Sequence, residues 1–421
     1  MWAVDSVHNL TRTAFGGKVY LTIMRPQLLA QVAKLSGGLG VLSPAMSGLD
    51  GTVLVIKASK ETILAAKVER EFKIYLAPVD VRGQSCMALV TAFFDDPDEP
   101  LTITSALVTG ERLPEELAKL PDAFTVCFFD EHNREVFACS AEAELSDFRN
   151  TLQSCVKAAR SEGHYLKQRA EHWFARRTVE DDLKAFSVKL RDSLTPGGLV
   201  HYNLREDVHS YWGSPGFSST TLQRPEPGAQ QELDIIMLLQ RVYSPCQIIH
   251  SPTKVSDNEE LSDIAVAGAH YTLLIQAKDS PNTEQTLKTS LDRKQRKSVR
   301  QLKGGLSQLG GAVSSLQRTG GLKLKIAGNE ALDIDLTEKP VIGVVIVKEL
   351  FPTQCDEYTK LAFDTMAKYQ VPVVFFDYPE FERITRHCAS ETKLLAAFEQ
   401  ILETAFETGR YPRLSFEKSQ A

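Results

Sequence analysis

Two apolar runs in the C-terminal half constrain the fold of this chain most strongly. Val341–Val347 and residues 371–376 are built almost entirely from Val, Ile and Phe. A strand that reads as a nearly continuous apolar run has both faces covered, as in a sheet sandwiched between helices. The amphipathic segment 391–408, with Ser390 as N-cap and Gly409 just past its end, predicts one such covering helix. The C-terminal half is therefore predicted to adopt an α/β fold.

Residues 263–278 predict two short strands joined by a turn at Gly268, because apolar residues alternate on either side of this glycine. Side chains two apart in a strand share a face, so Gln276 and Lys278 are expected to point the same way. Asp263 starts the first strand, and its neighbours on the same face are alanines, which leave room for an ion or a phosphate. Phosphodiester hydrolysis uses a cation bound by oxygens next to a lysine that stabilises charge on the phosphate. The pattern therefore predicts a catalytic group.

Size and composition limit the classes of protein that this chain can belong to. Its 421 residues are enough for two or three domains, and its net charge of -6 means that any nucleic-acid surface is a local patch. Seven cysteines without a C-x-x-C pair are typical of reduced thiols in the cytosol. No apolar run approaches the roughly 20 residues of a membrane span, and the N-terminal residues lack a basic-then-apolar signal pattern. We expect a cytoplasmic protein without membrane contact.

The chain divides by its sequence patterns into four predicted parts. Residues 1–145 alternate short apolar runs with turn signals and predict an α+β domain of unassigned sensor or partner role. Residues 146–194 have helical periodicity and predict a helical connector. Residues 195–408 form the α/β part, and a tail follows at 409–421. In the first part, strands are predicted at 18–24, 51–57, 72–77, 87–94 and 123–129, and a helix at 113–120.

The most basic stretch of the chain is 288–303, where seven positive residues minus one negative residue give +6. Such a local excess in an acidic chain is a candidate electrostatic footprint on a polyanion. A solvated basic helix face is the alternative. The predicted nucleic-acid-binding residues are Lys288, Arg293, Lys294, Arg296, Lys297, Arg300 and Lys303.

Two helical features frame this region. Residues 231–243 predict a helix with Glu232 in its first turn, although the helix dipole alone favours a glutamate there. The helical stretch after 288 contains paired glycines at 304–305 and 310–311. Because glycine weakens a helix, each pair predicts either a break or close packing of the backbone.

The order of these elements resembles the PD-(D/E)xK nuclease superfamily: a helix with Glu, a strand with Asp, a strand ending in Gln-Ala-Lys, a long helix and two apolar strands followed by a helix. The Gln-x-Lys ending is similar to the variant of Mrr-type restriction endonucleases. The resemblance covers roughly residues 195–408. It implies a restriction-endonuclease-like α/β/α sandwich with a mixed sheet, preceded by a separate N-terminal α+β domain and a helical connector.

The resemblance also implies roles for single residues. Asp263 resembles the metal-binding acid, and Gln276 stands where many relatives have Glu or Asp. Lys278 resembles the lysine that orients the attacking water or stabilises the transition state. Glu232 would complete the metal site through water. The implied cofactor is Mg²⁺ or Mn²⁺, bound mainly by Asp263 and Glu232, since an amide is a poorer Mg²⁺ ligand than a carboxylate.

The implied activity is metal-dependent hydrolysis of DNA by an endonuclease, and a role in defence against foreign DNA would suit the family. RNA stays open as a substrate, and so do a homodimer and a partner protein or small ligand at residues 1–145. One alternative is a catalytically inactive nuclease scaffold that binds proteins or nucleic acid. Another is an unrelated α/β protein in which Asp263 and Lys278 form only a cross-strand ion pair.

Overall fold

A computed structural model of the protein describes residues 21–35, 38–43, 46, 51–319, 322–325, 331–334 and 339–414. The chain forms two compact units. Unit 1 comprises the described residues of Met1–Val200 with Thr221–Gln223 and Asn282–Lys288. Unit 2 comprises the described residues of His201–Thr220, Arg224–Pro281 and Thr289–Ala421. The units are described separately, and both combine helices with β-sheet.

Unit 1 is built on a mixed eight-stranded sheet with the strand order β1-β2-β6-β7-β8-β3-β4-β5. Strands β2 and β6 run parallel, and the other neighbours pair antiparallel. The strands are β1 Gly38–Leu42, β2 Val53–Lys57, β3 Glu71–Val81, β4 Gln84–Phe93, β5 Leu101–Ala106, β6 Ala123–Phe129, β7 Glu135–Glu142 and β8 Phe186–Ser193. The helices are α1 Leu21–Met24, α2 Leu29–Lys34, α3 Lys60–Glu69, α4 Leu113–Leu117, α5 Ser146–Ser154, α6 Gly163–Phe174, α7 Val179–Lys184 and, after the crossing from unit 2, α9 Glu284–Leu287.

Four predicted strands of unit 1 are confirmed as β2, β3, β4 and β6, and the predicted helix at 113–120 is confirmed as α4. The strand predicted at 18–24 is wrong where the structure describes it, because residues from Leu21 onward form α1. The buried carboxylate of Glu135 explains this difference. It accepts the backbone N–H groups of Leu21 (3.0 Å) and Thr22 (2.9 Å), which satisfies the start of a helix. Residues 18–20 lie outside the described residues.

Residues 146–194 are predicted to be helical, and this prediction is wrong for the C-terminal part of the stretch. Helices α5, α6 and α7 lie in this stretch, but its last part is strand β8, which pairs with β7 and β3 inside the sheet. Phe186, Val188 and Leu190 recur at a spacing of two, which fits one face of a strand and not one face of a helix. This stretch therefore contributes to the sheet of unit 1.

Unit 2 is built on a mixed five-stranded sheet with the order β11-β13-β14-β17-β18. The pairs β11–β13 and β13–β14 are antiparallel, and β14–β17 and β17–β18 are parallel. The strands are β11 Ile248–His250, β13 Ile264–Ala267, β14 Thr272–Lys278, β17 Val341–Val347 and β18 Val373–Asp377. A three-stranded sheet joins β12 Thr253–Lys254, β15 Leu322–Lys325 and β16 Ala331–Ile334, and a two-stranded ribbon joins β9 Val200–Asn203 and β10 Ser218–Thr221. The helices are α8 Gly228–Leu239, α10 Leu291–Thr319, α11 Cys355–Tyr369, α12 Tyr378–His387 and α13 Glu391–Thr408.

Helices cover both faces of this sheet, as the apolar runs predict. On one face, Leu309 of α10 packs where a side chain on Gly343 would lie, and Tyr358 of α11 contacts Phe375. On the other face, Phe376 contacts aromatic rings from α12 and α13. The predicted helix at 391–408 is confirmed as α13, with the Ser390 hydroxyl accepting from the backbone at its start. None of the described helices is long and apolar enough to cross a membrane.

Candidate functional site

The predicted hairpin at residues 263–278 brings three of the four predicted site residues together. Strands β13 and β14 are antiparallel, and their register extended by one residue places Asp263 opposite Gln276 on one face. Lys278 Nζ lies 3.3 Å from Asp263 Oδ2 and 3.4 Å from the side-chain amide of Gln276. Ala277 fixes the arrangement, because its N–H donates to Asp263 Oδ2 at 2.6 Å and its carbonyl accepts from Lys278 Nζ at 3.0 Å. The strand alternation predicted from the sequence therefore produces direct contact.

The Asp263 carboxyl lies in a weakly solvated position. Burial raises its pKa above the ordinary value, and the negative charge of Glu232 raises it further. The ammonium group of Lys278 and the N–H of Ala277 lower the pKa but do not offset the burial. The side chains of Asp263 and Lys278 are 15% and 23% exposed, so both can still meet a ligand from solvent.

Gln276 lies at the centre of the group and is only 3% exposed. One terminal atom of its amide lies 3.3 Å from each carboxylate oxygen of Asp263 and 3.0 Å from Gln308 Oε1. Because these three neighbours are all acceptors, the hydrogen-bonding environment assigns the amide nitrogen to this position. Gln308 comes from α10 and was not predicted as a site residue. No local sequence pattern indicates it, because the contact depends on how α10 is rotated against β14.

Glu232 is placed differently from the other three predicted residues. It lies in the second turn of α8, which begins at Gly228, and not in the first turn as predicted. Its Oε2 lies 2.9 Å from Nε2 of His250. In the register of the sheet, His250 points to the face opposite Gln276. Glu232 thus acts on Asp263 through the charge that raises the pKa of that carboxyl. Its role as a metal ligand through water stays a prediction.

Two further features of the neighbourhood escaped the sequence prediction. The pKa of Glu260 is raised by partial burial and by the charges of Asp263 and Glu232, so this third carboxyl interacts electrostatically with the other two. Arg224 is buried and lies 3.8 Å from Asp234 of α8 and 3.4 Å from Asp279, which follows β14. This buried group of charges links α8 to the end of the strand that carries Lys278.

The predicted basic stretch lies mostly on α10. Arg293, Arg296, Arg300 and Lys303 are exposed and follow one another at spacings of three or four residues, so they share one face of the helix. Lys294 and Lys297 are half-buried, and Lys288 is exposed just before the helix. The exposed basic face therefore has four residues, fewer than the seven that were predicted as a set.

The side-chain atoms around Asp263 determine which cation this position could bind. Among the described residues, no three His, Cys, Asp or Glu side chains form a metal-binding group. Asp263 supplies carboxylate oxygens instead, and the amide nitrogen of Gln276 faces them and Gln308 Oε1. Carboxylate and amide oxygens suit Mg²⁺ or Mn²⁺, and oxygens that share such an ion lie about 3 Å apart in octahedral geometry. The distances of 3.0 and 3.3 Å at Gln276 are hydrogen bonds from its amide nitrogen, so the carboxylate of Asp263 is the group that a cation would bind.

Comparison of the chain with models of known protein families, with curated proteins and with solved structures found no match. A function for this protein therefore has to be inferred from the contacts of Asp263, Gln276 and Lys278 and from the basic face of α10.

Proposed function

We propose that unit 2 is a metal-dependent endonuclease that hydrolyses phosphodiester bonds of DNA and has the arrangement of the PD-(D/E)xK superfamily. The observation that carries this proposal is the contact of Asp263, Gln276 and Lys278 on one face of the sheet, within 3.4 Å of one another. A buried ion pair built only for stability would not need the two amide side chains that accompany it. The mixed sheet with helices on both faces supports the proposal, because the family has such a sandwich.

A bound cation would supply an activated water and neutralise charge on the phosphate. Asp263 would provide the carboxylate oxygen that binds it, and the amide nitrogen of Gln276 would keep that carboxylate in position. Lys278 Nζ has three protons, and its present acceptors include Asp263 Oδ2 and the carbonyl of Ala277. With Asp263 bound to a cation, the ammonium group of Lys278 would be free to donate to a phosphate oxygen and stabilise the negative charge of the transition state.

The basic face of α10 provides the substrate surface in this proposal. Arg293 and Lys303 are ten residues apart, so the face is about 15 Å long. Gln308 follows Lys303 by five residues, which is about 7.5 Å along the helix and about 140° around it, so the site lies beside the basic face and not on it. A phosphate backbone bound along α10 would therefore have to cross the side of the helix to reach Lys278. DNA is proposed as the polyanion, and RNA is the second substrate to be assayed.

The decisive comparison uses supercoiled plasmid DNA with Mg²⁺ or Mn²⁺. Lys278→Ala should reduce the cleavage rate at least about 100-fold, the loss typical for a group that stabilises transition-state charge. Lys360→Ala removes an exposed lysine on α11 and serves as the matched control, with activity close to wild type. Unfolding temperature and DNA affinity should be similar in all three proteins. Cleavage by Lys278→Ala at the wild-type rate would refute the assignment.

A nucleic-acid-binding protein with this scaffold but without cleavage is the second candidate. It is favoured by the neutral amide at Gln276 and by the absence, among the described residues, of a cluster of three ionisable metal ligands. Such a protein would bind DNA through α10 and show no Mg²⁺-dependent rise in unfolding temperature. A rise that Asp263→Asn removes would exclude it.

A further inference from the structure

The segment through which the chain leaves strand β14 is held by three contacts. The carbonyl of Lys278, the last residue of the strand, accepts from the backbone N–H of Lys348 at 3.1 Å. The carbonyl of Asp279, the next residue, accepts from the side chain of Gln301 at 2.7 Å. The side chain of Asp279 is only 1% exposed and lies 3.4 Å from Nη2 of Arg224. The backbone that carries the lysine is therefore held from the end of β17, from α10 and from Arg224.

Arg224 connects this segment to helix α8. It is buried, and its Nη1 lies 3.8 Å from Oδ2 of Asp234, a buried residue of that helix. The position of Asp234 is fixed, because its neighbours Ile235 and Leu238 are fully buried in the hydrophobic core. The two Nη groups of Arg224 thus join the end of β14 to a helix that cannot shift without disturbing the core.

Stability alone does not account for this group of charges. A buried ion pair contributes little to stability on average, because the loss of hydration offsets the attraction. The distances of 3.4 and 3.8 Å are also longer than those of close charge-assisted hydrogen bonds, which are about 2.7–2.9 Å. The planar guanidinium of an arginine can reach two carboxylates at once, whereas the ammonium group of a lysine is a single point of charge. The arrangement is therefore suited to fixing a position.

We propose that Arg224 is the positioning residue of Lys278. By holding Asp279 against α8, it fixes the backbone from which the lysine side chain starts, because consecutive Cα atoms are only about 3.8 Å apart. The ammonium group is thereby kept near Asp263 Oδ2, at 3.3 Å. The consequence for catalysis rests on the proposed function, in which Lys278 donates to a phosphate oxygen. A misplacement of about 1 Å at such a group can reduce the rate about 100-fold.

The position of Lys278 can be measured without DNA by NMR on protein labelled with ¹³C at the ε carbons of lysine, with Lys278→Arg identifying the resonance. Arg224→Lys keeps the charge but cannot reach both carboxylates, so we expect it to shift the Lys278 resonance. Asp279→Asn removes the attraction to Arg224 and keeps the oxygen that accepts from the N–H of Ser280, so it should produce a similar shift. The double variant should differ little from either single variant, because both changes break the same contact.

Arg241→Lys is the matched control. Arg241 lies just past the end of α8, and its Nη1 lies 2.9 Å from Oε1 of Glu382, so the substitution weakens an ion pair with a different helix, α12. It should lower the unfolding temperature and leave the Lys278 resonance in place. A shift of the same size in Arg241→Lys, or an unchanged resonance in Arg224→Lys or in Asp279→Asn, would overturn the inference. If Arg224→Lys does not fold, Asp279→Asn decides the comparison.

Plasmid cleavage separates this inference from the proposed function. If unit 2 is a nuclease, Arg224→Lys and Asp279→Asn should each reduce kcat about 10- to 100-fold and leave KM for DNA unchanged, because the basic face of α10 is intact. Arg241→Lys should cut at close to the wild-type rate. A shifted Lys278 resonance with unchanged kcat in both variants would overturn the catalytic part of the inference. If wild-type protein does not cut DNA, the proposed function fails, and the NMR comparison still decides whether Arg224 positions Lys278.

Discussion

At the scale of single residues, the burial of Asp263 has a consequence for stability that can be measured without DNA. Its raised pKa means that the unfolded chain releases the proton at a lower pH than the native protein does. Protonation of Asp263 therefore stabilises the native state at low pH. This stabilisation is lost as the pH rises from the ordinary aspartate range through the raised pKa. The slope cannot exceed about 1.4 kcal/mol per pH unit for one proton.

Asp263→Asn should remove this part of the pH dependence, because an amide does not titrate. We expect the variant to gain unfolding temperature relative to wild type as the pH rises through that window. Mg²⁺ should reverse the order by binding only the wild-type carboxylate. Thermal unfolding followed across pH, with and without Mg²⁺, measures both effects. Parallel pH profiles of the two proteins would contradict the assigned burial of Asp263.

The sequence predicted Asp263, Gln276 and Lys278 as neighbours because strand alternation and a short hairpin are local rules. It could not predict Gln308 or the contact of His250 with Glu232, since these depend on how helices α10 and α8 lie against the sheet.

At the scale of secondary-structure elements, the paired glycines of α10 were predicted either to break the helix or to pack closely, and the structure shows close packing. The helix is continuous from Leu291 to Thr319, so the pairs do not break it. Within each pair, one glycine is packed and the other is open. A Cβ on Gly305 would lie 2.6 Å from Val345 Cγ1, and one on Gly310 would overlap the ring of Tyr369. Gly304 and Gly311 have nothing within 4 Å.

This difference predicts that a glycine-to-alanine substitution changes the free energy of unfolding in opposite directions at the two positions of each pair. Gly304→Ala and Gly311→Ala should stabilise the protein by up to about 1 kcal/mol, because alanine favours the helix. Gly305→Ala and Gly310→Ala should destabilise it by about 1–3 kcal/mol through overpacking. Denaturant unfolding of the four variants provides the test. Equal effects within a pair would mean that α10 does not pack on the sheet as described.

The basic face of α10 predicts a specific salt dependence of DNA binding. Each phosphate contact contributes close to one unit to the slope of log affinity against log salt concentration. The double substitution of Arg296→Ala and Arg300→Ala should therefore lower that slope by about two. Lys360→Ala with Lys368→Ala on α11 makes the matched control, since both lysines are exposed and should leave the slope unchanged. If both double variants lose affinity equally, α10 is not a specific binding surface.

At the scale of the whole molecule, the last described residues are part of unit 2 and do not form a loose tail. Tyr411 is buried, and its hydroxyl donates to the carbonyl of Val373. Arg413 pairs with Asp377 and Glu380, and the N–H of Leu414 donates to Glu380 at 3.1 Å. The polar tail predicted at 409–421 therefore begins as a packed segment, and residues 415–421 lie outside the described residues.

Burial, followed by the charge of Asp377, raises the pKa of Glu380 to about 7. The native state thus keeps a proton that the unfolded chain loses, and the free energy of unfolding should fall as the pH rises from the ordinary glutamate range to about 7. Glu380→Gln should flatten this fall, which chemical denaturation at a series of pH values can detect. The same slope in wild type and variant would show that Glu380 does not titrate in this window.

How far the sequence predicted the fold depended on the pattern in each segment. The runs that became β17 and β18 and the helix that became α13 were predicted because a single periodicity and its caps sufficed. The helical pattern of the residues before strand β8 predicts helix as far as residue 194, although Phe186, Val188 and Leu190 alternate at the spacing of a strand. The partners of each strand in the eight-stranded sheet depend on pairings between distant segments, which no local pattern specifies.

The most direct test is the Mg²⁺ dependence of plasmid cleavage, measured for wild type beside Asp263→Asn, which keeps the shape of the side chain and removes its charge. We predict that wild-type protein nicks supercoiled DNA at a rate that rises and saturates with Mg²⁺, whereas Asp263→Asn binds the DNA but leaves it intact at every Mg²⁺ concentration. Equal cleavage by both proteins, or folded wild-type protein that binds DNA and never cuts it, would contradict the proposed nuclease site.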